Sequence, residues 1–169
     1  MTYIYAVSDI HACLKPFEEM LKVIDLKEEE NQLILCGDYI DYGNQSCEVA
    51  YRIKELTDSY PNQVVALLGN HEDMFLRFLK SSKIDVWNIE WLGADKQLST
   101  VLSFISQTAK KQVYKMLKEL SYPKMYFEIA KIVKEDILKR HSELITWIVN
   151  LPLYFENEMQ IFVHAGIDR

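Results

Sequence analysis

Three short apolar runs, each followed at once by a polar string with glycine or aspartate, constrain the fold of this chain most. The runs lie at residues 3–7, 33–36 and 64–68, and the segments between them carry apolar side chains at helical spacing. Continuous apolar runs are typical of strands buried in a parallel sheet. The alternation therefore predicts an α/β fold, a parallel sheet with flanking helices and right-handed crossovers. Ser46 is predicted to cap the second helix.

The middle of the chain has a different pattern. Residues 97–150 contain a single proline and four apolar stripes at helical spacing. These stripes predict a helical insert that packs on itself and on the edge of the sheet. Strand pattern returns at residues 153–155 and 160–163, with a predicted hairpin turn between them. By length, we expect residues 1–169 to form a single domain or a large part of one.

The polar strings place ligand-type side chains at predicted strand ends. Asp9 and His11 follow the first run, and Asp38 follows the second. Asn70 follows the third run, and His164 ends the last predicted strand. Each string alone could be a surface turn, so the interpretation depends on their combination. Carboxylate, imidazole and amide ligands at one sheet edge suit two divalent metal ions, Mn, Fe or Zn rather than Ca, that activate water against a phosphate ester.

A second pattern concerns proton transfer. His71 is predicted at a helix N-terminus, where the helix dipole disfavours the imidazolium form. A nearby carboxylate such as Asp41 would favour the imidazolium form again. His71 and Asp41 together could then supply a proton to a leaving oxygen. Glu72 and Asp73 are interpreted as ordinary acidic residues of a helix first turn. His141 is expected to be exposed at the start of a helical segment.

The composition of the chain limits the classes of partner that it is expected to bind. The net charge of −6 argues against binding to nucleic acid or to an anionic membrane surface. No apolar stretch approaches the roughly 18 residues that span a bilayer. The three cysteines are odd in number and lack the Cys-x-x-Cys spacing, which predicts reduced thiols and a cytoplasmic protein.

The strings Asp-Ile-His at 9–11, Gly-Asp-x-x-Asp-x-Gly at 37–43, Gly-Asn-His-Glu at 69–72 and His-Ala-Gly at 164–166 occur in this order. In this order they resemble the motifs of the calcineurin-like metallophosphoesterases. The chain looks most similar to the bacterial branch of the serine/threonine phosphoprotein phosphatases and their diadenosine-tetraphosphatase relatives. The resemblance covers both ends of the chain and implies the fold of that family.

The resemblance also implies two metal sites that share one ligand. Asp9, His11 and Asp38 would hold the first ion. Asp38, Asn70 and His164 would hold the second. His71, oriented by Asp41, would be the general acid.

The chain departs from the family pattern at three points. Ala12 stands where the family has glycine, and Tyr42 stands where it has a phosphate-gripping arginine, which leaves Tyr42 as the predicted substrate contact. The family also has a further metal-binding histidine and an arginine well after the His-Ala-Gly string, whereas this sequence ends at Arg169. We therefore expect a truncated domain whose second sheet is missing.

The resulting functional hypothesis is hydrolysis of a phosphate ester at a dinuclear metal centre. A phosphoserine or phosphothreonine protein is the first substrate prediction, and a nucleoside polyphosphate such as diadenosine tetraphosphate is the second. A non-catalytic remnant that binds a metal or a partner is the alternative from another class. An uncovered sheet face would also favour self-association.

Overall fold

A three-stranded parallel sheet forms the centre of the protein, whose computed structural model describes residues 2–166. Its strands are β1 (Ile4–Val7), β2 (Gln32–Leu35) and β3 (Val64–Ala66), in the order β1-β2-β3. Both neighbouring pairs run parallel. Strand β2 lies in the middle and is buried over its last three residues. The predicted α/β architecture is confirmed.

One helix follows each of these strands. These helices are α1 (Leu14–Leu21), α2 (Ser46–Ser59) and α3 (Asn70–Lys80). Their apolar faces are buried in the core, as Phe17, Ile53 and Phe75 illustrate. The prediction that Ser46 caps α2 is wrong, because Ser46 is the first residue of the helix and is fully buried.

The chain is helical through most of residues 86–149. The elements are α4 (Val86–Gly93), α5 (Asp95–Phe104), α6 (Gln107–Glu119), α7 (Lys124–Arg140) and α8 (Ser142–Val149). Each predicted stripe contributes fully buried residues, among them Val101, Val113, Ile129 and Leu144. The stripes therefore belong to the same core as the inner faces of α2 and α3.

His141, between α7 and α8, is buried rather than exposed. Its Nε2 lies 2.7 Å from the Phe104 carbonyl oxygen, and its Nδ1 lies 2.8 Å from the Tyr51 hydroxyl. Since the carbonyl can only accept, Nε2 donates to it and Nδ1 accepts from the hydroxyl in the neutral ring. These two bonds satisfy the imidazole in the core, which hydrophobic periodicity alone did not indicate.

A hairpin forms a second, two-stranded sheet. Strands β4 (Tyr154–Glu156) and β5 (Ile161–Val163) pair antiparallel. Phe155 and Phe162 pack on a small cluster formed by Ile34, Cys36 and Leu67. The expectation of a missing second sheet therefore needs correction, since two strands of a second sheet lie within the part of the chain that the structure describes. In residues 2–166, no helix has both the length and the apolar character needed to cross a membrane.

Candidate metal and catalytic centre

The loops that follow β1 and β2 have unusual backbone geometry. Six non-glycine residues in them have φ between 46° and 68°: Asp9, His11, Ala12, Asp38, Asp41 and Tyr42. A left-handed conformation costs a non-glycine residue roughly 1–2 kcal/mol, and such strain concentrates at functional sites. Five of the six are site residues predicted from the sequence. The sixth, Ala12, has a φ of 57°, which gives a physical reason for glycine at that position in the resembling family.

The two loops that end β2 and β3 approach each other closely at glycines. A Cβ on Gly69 would lie 2.2 Å from the Asp38 nitrogen, and one on Gly37 would lie 2.6 Å from the Gly69 Cα. Neither position has room for a side chain. This close approach places Asp38 beside the N-terminus of α3, where its Oδ1 accepts the His71 backbone N–H at 3.1 Å.

Glu72 holds the Asp38 loop in place. Its Oε2 accepts the backbone N–H of Asp38 at 2.9 Å and that of Gly69 at 3.2 Å. Its Oε1 accepts the N–H groups of Tyr39 at 2.8 Å and Ile40 at 3.1 Å. Burial raises the pKa of Glu72, and the backbone donors of Tyr39 and Ile40 oppose that rise. The carboxylate is thus a structural anchor of the site.

The sequence interpretation missed this role of Glu72. One signal was available: Glu72 is the third residue of α3, the position from which a glutamate reaches back to the N-terminal backbone in a capping box. That pattern indicates the bond to Gly69, but it does not indicate the bonds to the neighbouring loop.

His11 and Asp9 present acceptor atoms to each other. His11 Nδ1 lies 2.9 Å from the Ile40 carbonyl oxygen and donates to it, so the lone pair of the neutral ring is on Nε2. That Nε2 lies 3.6 Å from Asp9 Oδ1. Ligand atoms of His11, Asp38 and His71 also lie within 4.8 Å of one another. A cation held by Asp9, His11 and Asp38 would satisfy these acceptor atoms.

A second group of acceptors surrounds His164. Its Nδ1 donates to the Cys36 carbonyl oxygen at 2.8 Å, which leaves the lone pair of the neutral ring on Nε2. This Nε2 lies 2.8 Å from Asn70 Oδ1 and 3.2 Å from Asp38 Oδ2. Turning the Asn70 amide would relieve one contact only, because the carboxylate has no proton to offer. The donor set fits a divalent metal ion, and Asp38 is shared with the first group.

His71 and Asp41 form a buried pair. His71 Nδ1 lies 2.7 Å from Asp41 Oδ2, and the Asp41 side chain is 0% exposed. Since the carboxylate accepts, the proton on Nδ1 is engaged and Nε2 faces the centre, 3.8 Å from Asp38 Oδ2. His71 Nε2 is therefore placed to exchange a proton with a bound ligand.

Tyr42 covers the two imidazoles. Its ring centroid lies 4.4 Å from that of His11 and 5.4 Å from that of His71, while the residue is 52% exposed.

The structure brings the eight predicted site residues together at one edge of the sheet. Their individual roles stay predictions.

A cleft of about 710 Å³ opens beside this centre. Asn70 and His164 lie at one side of it, and Leu153, Tyr154 and Ile161 supply an apolar wall from the hairpin. Cleft volumes of roughly 300–1,000 Å³ are usual for small-molecule sites. The cleft therefore offers room for an organic group next to the candidate metal ligands.

The chain is similar to known proteins along most of its length. Residues 2–162 match the family model described as calcineurin-like phosphoesterase. A bis(5'-nucleosyl)-tetraphosphatase (symmetrical) of Nitrosococcus oceani is 26% identical over 166 residues, which cover 97% of this chain and 44% of that protein. A protein of the same description from Chromobacterium violaceum is 39% identical over 69 residues, covering 41% of this chain and 24% of that protein.

A solved structure provisionally named a diadenosine tetraphosphatase has the same fold. It superimposes with a TM-score of 0.52 at 18% identity, covering 96% of this chain and 50% of that one. In these three comparisons, the matched segment covers half or less of the other protein.

Proposed function

Because the chain belongs to the calcineurin-like phosphoesterase family, we propose that it is a metal-dependent hydrolase of phosphate anhydrides in dinucleoside polyphosphates. The descriptions of the relatives support this substrate class over the phosphoserine or phosphothreonine protein that the sequence suggested first. Phosphoprotein hydrolysis is kept as an outcome of the test below.

One observation carries the metal-dependent chemistry. Asn70 Oδ1 and Asp38 Oδ2 both lie within 3.2 Å of His164 Nε2. Asp38, Asn70 and His164 would hold one ion, while Asp9, His11 and Asp38 would hold the other. Bound divalent ions supply activation of water and neutralisation of phosphate charge.

The protein's own groups supply the remaining steps. A water molecule attacks phosphorus, and the bond from phosphorus to the bridging oxygen breaks. When the His71 ring carries a proton on both nitrogens, the leaving oxygen takes the proton on Nε2, while the attacking water gives up a proton to solvent, from which the ring is reprotonated. Asp41 keeps the other ring nitrogen engaged, so that Nε2 remains the transferring atom. Cleavage of diadenosine tetraphosphate at its central anhydride gives two molecules of ADP.

The cleft supports a nucleoside substrate. Its apolar wall from the hairpin lies beside Asn70, and Tyr154, 57% exposed, offers a ring on which a base could stack. A phosphoserine or phosphothreonine side chain, in contrast, carries no planar group that could stack on this wall.

The test offers this 169-residue chain three substrates with Mn²⁺: diadenosine tetraphosphate, a phosphoserine peptide and p-nitrophenyl phosphate. We expect ADP from the first, and loss of that product in His164→Ala. Faster turnover of the peptide would favour a protein phosphatase. Metal binding without turnover of any substrate would favour the non-catalytic alternative.

A further inference from the structure

The Asp41 carboxylate accepts hydrogen bonds from three side chains, which lie on two different helices. Oδ2 accepts from His71 on α3 at 2.7 Å and from Gln97 Nε2 on α5 at 3.3 Å. Oδ1 accepts from the Thr100 hydroxyl, also on α5. A carboxylate that is 0% exposed needs such donors, because burial without them is costly. Two of the three donors thus come from the helical segment that the sequence marked as an insert.

A closed ring of hydrogen bonds includes the Thr100 donor. The Asp41 backbone N–H donates to Ser46 Oγ at 3.2 Å, and Ser46 Oγ lies 3.1 Å from Thr100 Oγ1. A backbone N–H can only donate, and a carboxylate can only accept. Every group in the ring is paired when Ser46 donates to Thr100 and Thr100 donates to Asp41. Ser46 and Thr100 are both 0% exposed, so water does not compete for these bonds.

We propose that Thr100 is a positioning residue, which acts with Ser46 to fix the Asp41 carboxylate and thereby to hold His71 with Nε2 toward the candidate metal centre. Helix α5 is then part of the catalytic apparatus. The inference rests on the proposed function only for the use that His71 makes of its proton. The orientation of the ring can be measured without turnover.

The side-chain chemistry suggests a matched set of variants. Thr100→Val keeps the shape and removes the hydroxyl, which leaves Asp41 Oδ1 short of a donor. Thr100→Ser restores the hydroxyl. Thr146→Val makes the same change at an exposed threonine of α8, whose hydroxyl donates to the Ser142 carbonyl oxygen of its own helix. Ser46→Ala opens the ring at a residue whose side chain does not bond to the carboxylate.

The decisive readout is the His71 Nδ1–H signal in ¹⁵N-resolved NMR spectra of the metal-free protein. In the parent chain we expect a slowly exchanging Nδ1 proton. Thr100→Val and Ser46→Ala should each speed its exchange with solvent by about tenfold, as loss of one hydrogen bond allows. Thr100→Ser and Thr146→Val should match the parent. If Thr100→Val does not fold, Ser46→Ala decides.

Activity gives a second readout. In a parent chain that hydrolyses phosphate esters, Thr100→Val should lower kcat and leave KM unchanged, with a greater loss for phenyl phosphate than for p-nitrophenyl phosphate, whose leaving group is the weaker base. Unchanged Nδ1 exchange in both ring variants would overturn the proposal even in an active enzyme. Altered exchange in a chain without hydrolysis would support the positioning role and count against the proposed function alone.

Discussion

Glu72 Oε2 accepts the backbone N–H of Asp38 at 2.9 Å, so a residue of α3 holds the loop that carries the proposed shared metal ligand. Both oxygens of this carboxylate are used, and all their partners are donors. The conformation of the loop therefore depends on a side chain that has no predicted contact with metal or substrate.

Replacing Glu72 by Gln should lower the free energy of unfolding, although the two side chains have nearly the same size. The new NH₂ group would face backbone N–H donors, and leaving buried donors unpaired costs about 1–3 kcal/mol. Urea denaturation at neutral pH measures this loss. Asp73→Asn is the matched control, because it removes the same charge from an exposed position in the same turn. Equal losses in the two variants would show that Glu72 does not anchor the loop.

Replacing His71 by Asn should impair the chemical step. Loss of a general acid slows turnover by about 10²–10⁴. The loss should be greater for phenyl phosphate, whose phenolate leaving group is the stronger base, and smaller for p-nitrophenyl phosphate, whose leaving group needs less help from a proton. Steady-state kinetics on both substrates check this. An equal slowing of both would mean that His71 acts in some other way.

Replacing Tyr42 by Arg should tighten substrate binding. A guanidinium forms two charge-assisted hydrogen bonds to a phosphate, whereas the phenol that covers His11 and His71 carries no charge. We expect a lower KM for p-nitrophenyl phosphate in Tyr42→Arg and no such gain in Tyr42→Phe. A KM equal to that of the parent, or above it, would indicate that another group already neutralises the phosphate.

Replacing Ala12 by Gly should relieve backbone strain. Ala12 has a φ of 57°, a conformation in which glycine avoids a penalty of roughly 1–2 kcal/mol. We expect Ala12→Gly to keep or raise the melting temperature. Ala130→Gly, inside α7 and equally buried, should lower stability by about 1 kcal/mol or more. A similar loss in both variants would contradict the strain at Ala12.

The sequence predicts those strands and helices that the periodic spacing of apolar residues determines. The strand runs, the helical stripes and the order of the polar strings predict Asp38, Asn70 and His164 at one edge of a sheet. Alternation of apolar and polar residues carries this information because it decides which faces become buried.

The remaining features depend on contacts between distant segments. The bonds from Glu72 to the Asp38 loop, and from Thr100 to Asp41, join residues far apart in the chain. His141 is buried because two specific partners satisfy its ring. Because hydrophobic periodicity and local propensity do not report such pairings, the sequence predicts only an ordinary acidic residue of a helix first turn at Glu72 and an exposed side chain at His141.

Metal binding by the chain and by its Asp38→Asn variant tests the central claim, a dinuclear site that shares Asp38. Asparagine is the appropriate replacement, because Asp38 has a φ of 59° and asparagine tolerates the left-handed region. Titration calorimetry with Mn²⁺ should show two ions per parent chain, the second bound more weakly. Asp38→Asn should weaken both sites by at least about tenfold, while the exposed Asp58→Asn should leave both unchanged. Two sites of parental affinity in Asp38→Asn, or no binding by the parent, would contradict the shared dinuclear site.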